Sequence, residues 1–163
     1  MGDLTTAGGP LVLNGLTDLQ SHVGQDLGTS SWRTVEQGDI NTFADLTADH
    51  QWIHVDPERA RTGPFGTTVQ HGFLTLGMST GLLWEVVVVE GFGVILNYGL
   101  NKVRFPAPLK VNSRFRVNVV LAGVTALESP SGPGAETVYR LTFEVDGEAK
   151  PCCVADLVFR YYA

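Results

Sequence analysis

The chain is poor in cysteine and in positive charge. Its 163 residues include two cysteines, and these are adjacent, Cys152 and Cys153. Neighbours on a strand point to opposite faces, so a bond between them would be strained. Neither offers metal-ligand spacing, and the expectation is two reduced thiols in a reducing, cytoplasmic compartment. Eleven basic residues face 17 acidic ones, for a net charge of −6. That balance excludes the broad cationic footprint of a nucleic-acid binder, although a local basic patch can still hold an anion. No basic region precedes an apolar one near the start, so no secretory signal is expected. Residues 1–6 match the myristoylation pattern, which is short and unspecific. The one long apolar stretch, residues 73–89, is interrupted by Thr75, Ser79, Thr80, Glu85 and two glycines. It is barely long enough to span a bilayer, and a buried helix is the better reading. No membrane association is expected.

With 44% apolar and 17% charged residues, the composition is that of a globular domain with a sizeable core. Residues 1–15 read as a flexible arm and 16–163 as a single domain. A short helix is expected near 16–23 and an amphipathic one over 35–47, where Ile40, Phe43, Ala44 and Leu46 recur at helical spacing. Thr34 and Gln37 have capping-box spacing. Residues 48–71 hold three of the four histidines with Pro57, Gly63, Pro64 and Gly66, and read as a long irregular connection of the functional kind. A helix over 72–89, apolar almost all round, follows and requires cover. The second half reads as strands, 94–105, 111–122, 138–145 and 152–162, of which 111–122 and 138–145 alternate apolar with polar, with turns at 129–134 and at Asp146-Gly147. The expected class is α+β, a long central helix wrapped by an antiparallel sheet.

Chemistry is concentrated in residues 48–57, followed by His71-Gly72. A carboxylate at Asp49 and an imidazole at His54 can share one water, one group removing its proton while the other supplies a proton to the substrate. On spacing alone, an Asp and a His in a loop are more often a cap and a surface group. Asp56-Pro57 reads as a helix N-cap with proline at the first helical position. His50 and His54, four apart, suggest a metal site with Asp49 or His71, but no His-Glu-x-x-His pattern exists and no metal is expected.

The run Phe43-Ala44-Asp45-Leu46-Thr47-Ala48-Asp49-His50-Gln51-Trp52-Ile53-His54-Val55-Asp56-Pro57, then His71-Gly72, closely resembles the MaoC-like dehydratases, the (R)-specific enoyl-CoA hydratases with a single hot-dog domain. Together with Tyr98-Gly99-Leu100-Asn101-Lys102-Val103-Arg104-Phe105-Pro106-Ala107-Pro108 it looks most like the branch related to nodulation protein N. The resemblance spans roughly residues 16–162 by order of elements. It implies that Asp49 and His54 are catalytic. It also implies that the Gly72 N–H binds the thioester oxygen, a role that a helix N-terminus suits. Thr80 falls where some members carry a substrate-contacting serine; an ordinary helix threonine bonding back to the i−4 carbonyl is the other reading. Many members have Asn-Pro where this chain has Gln51-Trp52, so the loop's internal bonds differ. Lys102 and Arg104 are candidates for coenzyme A phosphates, or for a solvated strand face.

The implied reaction adds water to a trans-2-enoyl-CoA or enoyl-acyl-carrier-protein substrate, giving an (R)-3-hydroxyacyl thioester. No separate cofactor is required, since coenzyme A is part of the substrate. Two alternatives stand beside it. A hot-dog thioesterase would want a carboxylate on the central helix, where Glu85 is the only one. A non-catalytic acyl-binding or partner subunit would have no chemical need for Asp49, His54 and Gly72 together. A homodimer or higher homo-oligomer is expected, because one sheet covers only part of an apolar helix and residues 154–162 would form a sticky edge.

Overall fold

The computed structural model describes residues 9–130 and 132–163. The myristoylation pattern and the first half of the expected arm lie outside them. Element order is β1 (Leu11–Asn14), α1 (Gly15–Ser21), β2 (Asp26–Thr29), β3 (Arg33–Thr34), α2 (Gln37–Thr47), α3 (Trp52–Val55), α4 (Pro57–Arg61), α5 (Gly72–Gly77), α6 (Ser79–Val86), β4 (Val87–Glu90), β5 (Val94–Arg104), β6 (Arg114–Ser129), β7 (Gly132–Val145) and β8 (Cys153–Tyr162).

The main sheet runs β2-β6-β7-β8-β5, with β3 also on β6, and every pairing is antiparallel. Its inner face comes from alternation. Phe115, Val117, Val119 and Leu121 on β6, Tyr139, Leu141 and Phe143 on β7, and Leu157, Phe159 and Tyr161 on β8 are all buried. The outer face carries cross-strand ion pairs, Arg116 to Glu144, Arg140 to Asp156 and Arg160 to Glu136. Exposed pairs of this kind contribute about 0–1 kcal/mol each, so the inner face does most of the stabilising. Helices α5 and α6 lie across it, burying Thr75, Leu76, Ser79, Leu82, Leu83 and Val86 at intervals of three and four. This is the expected sheet around a central helix.

Several expectations need correction. The central helix does not run to 89. It turns at Met78 and ends at Val86, after which β4 pairs in parallel with β1. Four consecutive valines explain the ending, since β-branched side chains fit a pleat better than a helix. Residues 11–14, assigned to the flexible arm, are therefore a strand. The cap of α2 is a reciprocal box between Glu36 and Asp39 rather than Thr34 and Gln37. The connection 48–71 holds two short helices, α3 and α4. Finally, β8 is not a sheet edge. It lies between β7 and β5, and β5 is the edge. Among the described residues no helix is long and apolar enough to cross a membrane.

Candidate active site

The site begins where α2 stops. Ala48 takes a left-handed conformation (φ 59°, ψ 21°), which ends the helix and turns the chain into Asp49. Asp56 then accepts from the Arg59 N–H at 3.0 Å with Pro57 at the first helical position, as its dipeptide suggested. Between them the single turn α3 carries His54. Three bonds fix that turn: Val69 N–H to the Ile53 carbonyl at 3.0 Å, Gln37 Nε2 to the His54 carbonyl at 2.7 Å, and His54 Nδ1 to the Val69 carbonyl at 2.7 Å. The Gln37 side-chain Oε1 in turn accepts from Thr68 Oγ1 at 2.5 Å. Thus α2, α3 and residues 68–69 form one polar clamp around His54. Sequence reasoning gave Thr68 no role and read Gln37 only as a capping residue, because their contacts here depend on partners 17 and 31 residues away.

A carbonyl only accepts, so His54 Nδ1 carries hydrogen and Nε2 presents its lone pair. The residue is 8% exposed. Burial lowers its pKa below the ordinary histidine value; the Val69 carbonyl opposes this, His71 adds to it, and Asp49 opposes it. Asp49 is open to solvent, with a side-chain exposure of 56%. Ligating atoms of Asp49, His54 and His71 lie within 4.8 Å of one another. A water hydrogen-bonded to both partners spans such a gap. His50, by contrast, turns away to Asp45 at 2.8 Å on the exposed surface.

His71 stacks on His54, and the next residue, Gly72, opens α5. The first bonds to the preceding turn come from Leu74 and Thr75, both to the His71 carbonyl. The Gly72 N–H therefore precedes the helical ladder. A side chain here would press on Phe105, since a Cβ would sit 3.0 Å from its ring atoms. Gly72 lines a pocket of about 280 Å³ with Phe65, Gln70, Thr75, Phe105 and Leu109. Gln70 Nε2 donates to Thr75 Oγ1 at 2.9 Å across its wall. Gln70, Thr75 and Phe105 were not picked out from the sequence. Gln70 fell in the irregular connection 48–71, Thr75 in the expected helix 72–89 and Phe105 at the end of the expected strand 94–105, and no local signal marks them.

Other candidates fall elsewhere. Thr80 does not line this pocket; its hydroxyl accepts from Asn97 Nδ2 of β5 at 3.3 Å rather than bonding back along the helix. Lys102 and Arg104 line a hollow of about 140 Å³ with Arg140, Val154 and Asp156, outside the Gly72 pocket. Arg104 Nη1 donates to the adjacent Val103 carbonyl at 2.7 Å. Glu85 is occupied, accepting from Ser31 Oγ at 2.6 Å and Ser31 N–H at 3.0 Å and pairing with Arg33. Burial pushes its pKa up, but these donors outweigh that and hold it below the usual value. It anchors the β2–β3 connection, which leaves a helix carboxylate for thioester hydrolysis already committed. Both cysteines are free and buried; burial pushes Cys152 up to about 12 and Cys153 to about 11, which removes them as nucleophiles near neutral pH.

Known proteins match this architecture. The family described as MaoC like domain matches residues 18–138. The chain is 49% identical to 3-hydroxyacyl-thioester dehydratase Z of Mycobacterium tuberculosis, over 91% of this chain and 96% of that protein. It is 41% identical to nodulation protein N of Rhizobium leguminosarum bv. viciae, over 88% of each. A crystal structure described as a monoamine oxidase regulatory protein from Archaeoglobus fulgidus superimposes with a TM-score of 0.73 over 94% of this chain and 99% of that one, at 21% identity, and so shows the shared fold. The chain belongs to the MaoC-like dehydratase family, in the branch that includes nodulation protein N.

Proposed function

We propose that the protein is an (R)-specific enoyl-thioester hydratase, acting reversibly between trans-2-enoyl-CoA and (R)-3-hydroxyacyl-CoA. The observation that carries this reading is the juxtaposition of Asp49 with a buried His54 whose Nδ1 is bonded to the Val69 carbonyl and whose ring stacks on His71, the residue before Gly72. The family and the 3-hydroxyacyl-thioester dehydratase relative support the reaction class.

In this reading the thioester oxygen accepts from the Gly72 N–H, which draws electrons from the double bond. One water bridges Asp49 and His54. Its oxygen attacks C3 while His54 Nε2 takes its proton, and negative charge moves onto the thioester oxygen as an enolate. The imidazolium then gives that proton to C2, the enolate collapses, and His54 is neutral again. Asp49 orients the water and balances the transient imidazolium. The reverse sequence expels water. No resident cofactor or metal enters these steps. Lys102 and Arg104 would meet the carrier's phosphates only if the carrier runs over the outer face of β5.

The working unit is at least a homodimer. Strand β5 is an unpaired edge, with Val94, Ile95, Leu96, Tyr98 and Leu100 exposed, and Phe73 and Trp84 are exposed on the helices. A second copy covers such an edge by isologous pairing. The activity is tested by following loss of the conjugated enoyl thioester across a panel of trans-2-enoyl-CoA chain lengths and resolving the product's stereochemistry. Turnover to the (R) product supports the reading. Thioester cleavage, an (S) product or no turnover with any chain length rejects it.

A further inference from the structure

Of the pair His71-Gly72, the reaction above uses only Gly72. Yet His71 is 3% exposed and contacts both Asp49 and His54. Its ring lies between Phe43, at a centroid distance of 5.0 Å, and His54, stacked at 3.8 Å with 22° between planes. Its Nε2 donates to the Asp49 main-chain carbonyl at 3.0 Å and lies 3.9 Å from that residue's Oδ2. The acceptor is a carbonyl, so Nε2 bears the hydrogen and Nδ1 is left as a lone pair. That Nδ1 is buried and has no hydrogen-bond partner among the described residues. A buried polar atom left unpaired is destabilising, a cost that a phenylalanine filling the same space would avoid. Space-filling alone does not account for an imidazole here.

We propose that His71 is a positioning residue for the catalytic pair: its ring is the surface against which His54 stacks, and its Nε2–H ties down the Asp49 main chain so that the carboxylate stays beside the His54 ring. The inference rests on the reading that Asp49 and His54 carry the reaction. The two tasks are separable. The stack keeps water off one face of His54 and opposes a positive charge there, whereas the tether fixes where Asp49 begins. Among the described residues, the titratable groups facing His54 from the packed segments are Asp49 and His71.

The test uses two variants with complementary losses. His71→Gln keeps an N–H donor and removes the ring; His71→Phe keeps the ring and removes the donor. The His54 ring is titrated by NMR in the substrate-free protein, and kcat and KM are measured separately on a trans-2-enoyl-CoA. In His71→Gln the His54 midpoint should rise above the wild-type value as water reaches the ring. In His71→Phe, which keeps a ring against His54, any rise should be smaller than in His71→Gln. In both, kcat should fall by about 10- to 100-fold through misplacement, with KM changed by no more than about twofold. A wild-type kcat in His71→Phe, an unmoved His54 midpoint in His71→Gln, or a loss residing in KM would each overturn the proposal. Should His71→Gln fail to fold, His71→Asn provides the ring-free arm, and His71→Phe decides the tether. A wild type that hydrates no enoyl thioester removes the proposed function, while the His54 midpoint still decides the stack.

Discussion

His54 shows how one hydrogen bond assigns a chemical role. With Nδ1 donating to Val69 and burial disfavouring the cation, the ring is held ready to accept a proton at Nε2. The sign of the pH dependence follows. In the proposed mechanism the active free form is neutral His54, and its folded pKa lies below the ordinary value of about 6.5. The acid limb of kcat/KM should therefore fall at a pH below about 6.5, and a limb above that value would contradict the assignment. The same shift links to stability. Below about pH 6.5 the unfolded chain takes up this proton more readily than the folded one, so stability declines as pH falls through that range and levels off below the folded pKa. Gly72 is tested differently, because its backbone donates. Gly72→Pro removes the donor and should lower kcat by at least about a hundredfold. Gly72→Ala keeps the donor and asks only that Phe105, 41% exposed, shift by a few tenths of an ångström. Most activity should survive, and shortening Phe105 to Leu should restore the remainder. Equal kcat losses in the proline and alanine variants would show that space, and not donation, is what Gly72 provides.

At the scale of elements, the helix-to-loop junction at Ala48 matters most. A non-glycine residue in the left-handed region costs of order 1 kcal/mol, and here it sets the direction in which the chain enters Asp49. Ala48→Gly should raise the unfolding midpoint by up to a few degrees without altering kcat; a lowered midpoint would show that the alanine side chain contributes more than its backbone costs. Much of this level was legible in sequence. The period of Ile40, Phe43 and Ala44 marked α2, Asp56-Pro57 marked the start of α4, and alternation marked β6 and β7. What was not legible depended on contacts distant in sequence. Strand β1 exists because β4 pairs with it, and β4 exists because a valine run leaves the helix. The clamp of Gln37, Thr68 and Val69 around His54 has no local signature, and neither has the pocket wall of Gln70, Thr75 and Phe105. Asp49 and His54, singled out by motif, are brought together by the fold, and Gly72 follows His71, whose ring stacks on His54. Thr80, placed by the same motif, turns instead to Asn97 on β5.

For the whole molecule, the open question is what covers β5. The edge expected at residues 154–162 is filled by β5 itself, which moves the exposed apolar strand to Val94–Arg104. Ile95→Asp or Leu100→Asp, placed on that edge, should reduce the sedimentation mass from a multiple of 17.6 kDa toward a single chain. Unchanged mass in both variants, or a wild type that sediments as one chain with full activity, would contradict pairing through β5. The claim on which the whole reading turns is that Asp49 and His54 activate one water. It is tested most directly by kcat on a trans-2-enoyl-CoA for Asp49→Asn and His54→Ala, with folding verified by circular dichroism. Each folded variant should lose about a hundredfold or more, the size expected for removing a general acid or base. A folded variant of either residue that turns over at near wild-type rate would contradict it.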